Sequence, residues 1–325
     1  MKGEDIPLLN MLFDFRIVPS VIVLERAITL GKYSMLKLVL TRLRRSQLEE
    51  YGARLLTRAI LKYPESSEAL DDIFAHNLNN INVYVVSLSL NIYDYQRPLQ
   101  PTTPGVWRTP LGHAILGVPQ RREVRNCAVR LVERMIDTFG NGIANTITTN
   151  DRHLDIYQTA ILDSIDTGSI QMVDLLVQHG AKVNEPARLG LKRTPLQKAI
   201  EIGNLEIIRL LLSKGADVNA PPAARGGGTA LQLAAIGGNC TIAKLLIDHG
   251  AQFNIPPSYL GSGRWPLEGA AEHGRLDMIQ FLWNANHGQF DDRQCERAKR
   301  FAEYYGHNAC RDLINELMAA REAMS

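Results

Sequence analysis

The sequence has few cysteines, few aromatic residues and little net charge. Its four cysteines, among 325 residues, form no C-x-x-C pair, and no histidine pair lies at zinc-binding spacing beside them. We therefore expect free thiols in a reducing compartment and no metal site. The net charge of +2 disfavours a surface dedicated to nucleic acid, so we expect no nucleic-acid partner.

Long apolar runs are also missing. No stretch reaches about 18 apolar residues, so we expect no transmembrane helix and no membrane partner. Glu4 and Asp5 lie near the first residue, and no long apolar segment follows them, so we expect no signal peptide. From these absences we expect a cytoplasmic or nuclear protein.

The motifs of the familiar catalytic classes are absent as well. The sequence has no P-loop, no H-E-x-x-H helix, no G-x-S-x-G elbow and no dinucleotide fingerprint. The glycine-rich run Arg225–Thr229 precedes a predicted helix start, which is where phosphate can bind, but a flexible turn explains its composition better. We therefore predict no catalytic residues, no cofactor and no enzyme activity.

What the sequence does contain is a short, self-contained unit. The stretch TPLQKAIEIGNLEIIRLLLSKGADVNA begins at Thr194, which is placed to cap a helix, and Gln197 completes a capping box. Gly203 is placed to end that helix, because glycine adopts the left-handed conformation without steric cost. Apolar residues at helical spacing then predict a second helix that ends near Gly215.

The unit recurs every 35 or 36 residues. Similar stretches begin at Thr159, Thr229 and Trp265. Two helices of two or three turns bury too little surface to be stable alone, so the recurrence predicts a stacked array.

This pattern of helix, turn, helix and extended finger closely resembles the ankyrin repeat, most clearly from Thr159 to Asn286. The resemblance implies an all-α solenoid of about seven to eight helix-turn-helix units with hairpin fingers, divergent at the N-terminal end. Residues 159–296 read as four regular repeats, and residues 109–158 as a divergent repeat with an insertion. Residues 297–325 fit a C-terminal capping repeat, and residues 1–108 fit degenerate helical repeats.

Parts of the N-terminal region fit the pattern less clearly. The stretch VYVVSLSLNIYDYQ, from Val83, is β-rich in composition but helical by context, and its structure stays open. Three prolines in the segment Gln96–Trp107 predict an irregular loop. A separately folded catalytic N-terminal half is an alternative, and the helix-pair pattern at Ala27–Gly31 disfavours it.

The resemblance also implies where a partner binds. Ankyrin proteins usually hold protein partners on the finger tips and on the exposed side of the first helices, along a concave face. The residues at these positions are Arg188, Arg193, Gln197, Lys198, Arg225, Gln232, Tyr259, Arg264, Trp265 and Glu268. We expect a monomeric, non-enzymatic scaffold whose protein partner has an acidic surface.

Arginines recur just before predicted helix starts. They are Arg108, Arg193 and Arg264, with Arg188 and Arg225 nearby. Stacked repeats would align them into a basic ridge suited to carboxylates. The alternative is that these are polar positions that serve solubility.

Trp265 stands where the other units have a threonine, and its side chain cannot cap a helix. Ser262, close in sequence, could supply the cap instead. Either Trp265 is a binding anchor or it packs against the next unit. Asparagines recur in the fingers at Asn184, Asn219 and Asn254, where we expect turns with bonds to their own backbone; the resemblance also makes their hydroxylation possible.

Two alternative roles stay open. The chain could regulate gene expression through a nuclear partner. Its degenerate early repeats and long fingers also resemble stand-alone ankyrin proteins of filamentous fungi, some of which accompany secondary-metabolite pathways without a defined reaction.

Overall fold

The structure is a computed structural model, and it describes residues 10, 23–24, 27–28, 30–42, 55–56, 59, 106–116, 122–151, 156–188, 190–260 and 263–324. The chain divides into two compact units, residues 1–181 and residues 182–325. The β-rich stretch from Val83 and most of the predicted loop from Gln96 lie outside the described residues.

The first unit combines helices with a small sheet. Its described elements are α1 (Tyr33–Arg42), β1 (Val106–Arg108), α2 (Pro110–Leu116), α3 (Arg122–Phe139), a 3-10 helix (Asn141–Asn145), β2 (Ile147–Asp151), β3 (Ile156–Thr159), α4 (Ala160–Asp166) and α5 (Ile170–Gln178).

The three strands form an antiparallel sheet in the order β1-β2-β3, with Asn150 opposite both Trp107 and Tyr157. The mostly helical structure fits the predicted all-α repeat fold, and the segments before α2 and α4 add a small sheet that the sequence did not predict. The predicted loop is wrong at its end, since Val106 and Trp107 belong to β1.

The second unit is built from four consecutive helix pairs. They are α6 (Pro195–Ile202) with α7 (Leu205–Ser213), α8 (Ala230–Gly237) with α9 (Cys240–Asp248), α10 (Pro266–Glu272) with α11 (Leu276–Ala285), and α12 (Asp292–Tyr304) with α13 (Asn308–Met324). The first helices pack in sequence, α6 on α8, α8 on α10 and α10 on α12. Buried Leu196, Ala199, Ile208 and Leu211 show the pattern of the core.

The helix start at Thr194 and the helix end at Gly203 form as the sequence predicts. The backbone N–H of Gln197 donates to the Thr194 hydroxyl at 3.2 Å, and the Gln197 side-chain oxygen accepts from the Thr194 N–H at 3.0 Å. Gly203 is left-handed, with φ 79°, and its turn includes a bond from the Asn204 N–H to the Ala199 carbonyl. The capping box and the glycine stop are therefore confirmed.

The same turn occurs far earlier in the chain. Gly31 has φ 67°, and the Lys32 N–H donates to the Ala27 carbonyl at 2.9 Å, immediately before α1. The turn thus has the hydrogen bond that closes the helix pair at Gly203.

The recurrent asparagines do more than form turns. The Asn184 amide donates to the Gly215 carbonyl at 2.9 Å, and its oxygen accepts from the Asp217 N–H at 2.8 Å. Asn219 makes the equivalent bonds to the next repeat, to Gly250 and Gln252. The expectation that these side chains bond to their own backbone is wrong: they join consecutive repeats, because the finger holds them beside the next helix end.

The segment that leads from α11 into the last helix pair is short. Helix α12 begins at Asp292, because the Asp291 side chain accepts from the Arg293 N–H at 2.7 Å. The helix thus starts before the predicted repeat boundary at Arg297. The chain between α11 and α12 is correspondingly too short for a finger like the earlier ones.

Candidate docking surface

The fingers of the second unit and its first helices share one surface. The fingers are residues 182–194, 214–229 and 249–265, and the first helices are α6, α8, α10 and α12. At its base, the first finger is tied to the end of α6 by Arg193 and Glu201, 2.8 Å apart. Arg264 and Glu272 make the equivalent link between the third finger and α10. We call this surface the finger–first-helix face.

Arg193 is largely occupied within the chain. Besides Glu201, it donates to the Lys192 carbonyl at 3.0 Å and to the Gly226 carbonyl at 2.9 Å. Its side chain is only 15% exposed. It therefore holds two fingers together and offers little free charge to a partner.

Arg264 has a comparable position. It pairs with Glu272, and its guanidinium carbon lies 4.0 Å from the centre of the Phe301 ring. Cation–π contact of this kind fixes the side chain over the ring. Two arginines of the predicted ridge are thus neutralised within the chain, and a third, Arg108, lies in the first unit.

The two remaining arginines of the predicted surface differ in their surroundings. Arg188 is well exposed but pairs with Glu185 at 3.2 Å. Arg225 is also exposed, and within the described residues it has no ion pair. Only Arg225 therefore presents an uncompensated charge among the fingertip arginines of the second unit.

Three predicted binding residues are buried. Gln197 and Gln232 reach the finger that follows them and donate to the carbonyls of Ala220, at 3.0 Å, and Ile255, at 2.9 Å. Glu268 occupies the same repeat position and, being a carboxylate, accepts from the Arg297 guanidinium at 3.3 Å instead. The expectation that these three side chains face a partner therefore needs a correction, because they secure the repeat interior.

The other predicted residues lie at the surface to different degrees. Lys198 and Trp265 are half-buried, whereas Tyr259 is 80% exposed at the tip of the third finger. Trp265 precedes α10 without a side-chain cap, and its backbone N–H donates to the Glu268 carboxylate at 3.3 Å. Ser262, the proposed substitute cap, lies outside the described residues. Binding by Lys198, Trp265 and Tyr259 stays a prediction.

Sequence reasoning missed an aromatic pair at the end of α12. Tyr304 is 81% exposed and Tyr305 is 50% exposed, with ring centres 5.0 Å apart in an edge-to-face arrangement. Glu272 lies beside Tyr305, and its negative charge raises the pKa of that phenol. Alignment on Gly306 would have found the pair, since it places Tyr304 in register with Glu201.

The glycine-rich run in the second finger has a structural explanation. A Cβ at Gly227 would lie 2.3 Å from the backbone nitrogen of Ala223, so the turn requires glycine there. At the helix start that follows, the Thr229 hydroxyl accepts from the Gln232 N–H at 3.3 Å. The helix end is thus capped internally, and the turn interpretation accounts for the run without a bound phosphate.

The first unit contains a buried polar cluster. The hydroxyls of Thr148 and Thr149 both donate to one oxygen of Asp163, at 2.7 Å each. Burial raises the pKa of Asp163 to about 6, although the two hydroxyls oppose the shift. Burial, aided by Arg108, lowers the pKa of His113 to about 4. These bonds fasten β2 to α4 and explain the cluster structurally.

Among the described residues, no three histidine, cysteine, aspartate or glutamate side chains come together as a possible metal site. No helix in that part of the chain combines the length and the apolar composition that a membrane span requires.

The central part of the chain matches family models for ankyrin repeats. The family model for ankyrin repeats in three copies matches residues 124–222. The model for ankyrin repeats in many copies matches residues 203–247. A search of curated proteins finds no match to the chain. The matched region runs from α3 to α9 and so includes elements of both units.

Proposed function

Because residues 124–247 of this chain are ankyrin repeats, we propose that it is a scaffold that binds a protein partner on its finger–first-helix face. Ankyrin repeats generally mediate protein–protein interaction, and the family is typically non-enzymatic. The observation that carries the proposal is the contrast on this face between side chains tied down within the chain and large side chains left exposed.

The tied side chains make the face rigid before any partner arrives. Arg193 links the second finger to α6 through the Gly226 carbonyl and Glu201. Asn184 and Asn219 join consecutive repeats through backbone groups. A surface ordered in advance loses less conformational entropy on binding, which raises affinity.

The exposed side chains supply apolar and aromatic contact area. Ile202 is 43% exposed at the end of α6, and Tyr304 is 81% exposed at the equivalent end of α12. Tyrosine is among the residues that contribute most to interface energy. This distribution supports a protein partner that covers both the fingers and the helix ends.

We extend the repeat assignment beyond the matched residues to about seven to eight units. The pairs α10–α11 and α12–α13 continue the packing of the earlier pairs. The turn at Gly31, with the same backbone bond as the turn at Gly203, supports degenerate repeats near the N-terminus. In this proposal the fingers of the array line a concave face.

The test is capture of a partner from native lysate by the full chain, followed by affinity measurement with the purified partner. One bait carries Ile202→Glu and Tyr304→Glu on the finger–first-helix face. The control bait carries Thr241→Glu and Asn284→Glu, which add the same charge at exposed positions of α9 and α11.

The proposal predicts that the face variant weakens binding at least about tenfold, equivalent to about 1.4 kcal/mol. The control variant should bind like the wild type. Equal affinity of all three baits, or the absence of any captured protein, would contradict the proposal.

A further inference from the structure

The tips of the second and third fingers are joined through their backbones. The Leu260 N–H donates to the Ala224 carbonyl at 2.9 Å, and the Ser258 hydroxyl donates to the same carbonyl at 2.6 Å. Arg225 and Leu260 form a parallel backbone bridge. Residues Arg225, Tyr259 and Leu260 therefore lie together, and we call them the fingertip cluster.

The backbone around the cluster is fixed by close approaches. The Gly226 carbonyl accepts from Arg193 at 2.9 Å. A Cβ at Gly263 would lie 2.2 Å from the Ser258 carbonyl oxygen, as closely as one at Gly227 would approach Ala223. Both fingertip turns thus depend on a glycine that lets two backbone segments touch. The cluster is presented on an ordered base.

All three side chains of the cluster are exposed. Tyr259 is 80% exposed and Leu260 is 44% exposed, and Arg225 also lies at the surface. Tyrosine and arginine are the residue types that most often dominate binding energy, and an adjacent leucine adds apolar area. The described part of the chain therefore leaves a tyrosine and a leucine side by side at the surface without covering them.

The charge of Arg225 is isolated. It is the only lysine, arginine, aspartate or glutamate between Asp217 and Lys244, and the third finger has none between Asp248 and Arg264. Among the described residues, Arg225 has no ion pair, whereas Arg188, Arg193 and Arg264 each have one.

We propose that the fingertip cluster binds a segment of a protein partner that carries a carboxylate next to an apolar side chain. This inference rests on the proposed scaffold function and identifies the chemistry that the partner brings. The Arg225 guanidinium binds the carboxylate through paired N–H donors, and Tyr259 and Leu260 pack against the apolar side chain.

The charge pattern favours a protein segment over nucleic acid. Binding to a nucleic-acid backbone draws on several cations that each neutralise a phosphate. Here a single uncompensated arginine stands among neutral residues, and Arg193 and Arg264 already have carboxylate partners. One carboxylate with an apolar neighbour matches one arginine with an apolar neighbour.

The test selects short random peptides that bind the immobilised full chain and measures their affinity for five proteins: the wild type, Arg225→Ala, Tyr259→Ala, Arg209→Ala and the double variant Ile202→Glu with Tyr304→Glu. Arg209 is the matched control, because it is an exposed arginine of the second helix α7, outside the finger–first-helix face. Each selected peptide is also made with its acidic residue changed to the amide.

We expect peptides with an aspartate or glutamate beside an apolar residue. Arg225→Ala and Tyr259→Ala should each weaken binding about tenfold, as should the amide peptide, whereas Arg209→Ala should change it less than about twofold. The amide peptide should lose no further affinity with Arg225→Ala.

Three outcomes would overturn the proposal. Peptides that bind equally to wild type and Arg225→Ala, but lose binding with Ile202→Glu and Tyr304→Glu, would remove the fingertip cluster while keeping the scaffold function. A chain that selects no peptide in repeated rounds would contradict both. Binding of a single-stranded oligonucleotide at physiological salt in place of peptides would assign the cluster to nucleic acid.

Discussion

At the scale of single residues, one repeat position shows how a side chain can be polar and still not face a partner. Gln197 and Gln232 each use one amide to complete a helix cap and to hold the next finger. Glu268 keeps the cap bond but has no N–H to donate, and Arg297 reaches back from α12 to neutralise it. The capped helix starts at Thr194 and Thr229 could be predicted, but the direction of these glutamine and glutamate side chains could not.

The Glu268–Arg297 pair yields a prediction. Arg297→Ala leaves a buried carboxylate without its cation, so we expect a loss of unfolding free energy of about 1–3 kcal/mol at pH 7, discounted because Arg297 is half exposed. Arg293→Ala, one turn earlier on α12 and exposed, should change it by less than about 0.5 kcal/mol. Thermal or urea unfolding of the full chain measures both.

Two further observations would separate this explanation from a general loss of packing. Adding Glu268→Gln to Arg297→Ala should recover most of the stability, because glutamine is the residue that α6 and α8 use at this position. Burial raises the pKa of Glu268, so the folded state holds its proton to higher pH than the unfolded state does. The loss caused by Arg297→Ala should therefore shrink as pH falls through that raised pKa, and a loss independent of pH would count against the explanation.

The finger arginines show that the sequence predicts where a charged residue lies but not which group it contacts. The sequence places Arg193, Arg225 and Arg264 near equivalent points of three units. The carboxylate partners of Arg193 and Arg264 lie eight residues further along the chain, and Arg193 also bonds to another finger, whereas Arg225 has no ion pair among the described residues. Whether an arginine is free depends on those partners. The sparse charge around Arg225 was visible in the sequence, and it is the one signal that could have singled out this arginine.

At the scale of elements, the helices of the second unit follow from their boundaries. Thr194, Thr229 and the glycines at φ above 70° fix starts and stops, so the helix pairs were predictable. The sheet of the first unit was not, because β2 and β3 carry few apolar residues in alternation, and β2 is held by threonine hydroxyls on the buried Asp163. A long-range polar contact of that kind leaves no periodic signal.

The fingers give a prediction at this scale. Gly227→Ala should lower the unfolding free energy by more than about 1 kcal/mol and increase hydrogen exchange in residues 221–229, because the new Cβ would meet the Ala223 backbone. Gly237→Ala is the control: it lies in α8 with nothing within 4 Å of its Cβ, so it should raise stability by about 0.5–1 kcal/mol. Equal effects of the two changes would show that the turn tolerates a side chain.

At the scale of the whole molecule, the chain divides into two compact units. The second unit carries the finger–first-helix face, with its exposed Tyr259, Tyr304 and Ile202. The repeat architecture was predictable from the spacing of the units, whereas the choice of exposed side chains became clear only from their burial.

The most direct measurement of the central claim is hydrogen–deuterium exchange of the full chain, alone and in complex with the protein that it captures. The account predicts slower exchange on binding in the fingers, residues 182–194, 214–229 and 249–265, and at the end of α12. Protection confined to the second helices α7, α9 and α11, with the fingers unchanged, would contradict it.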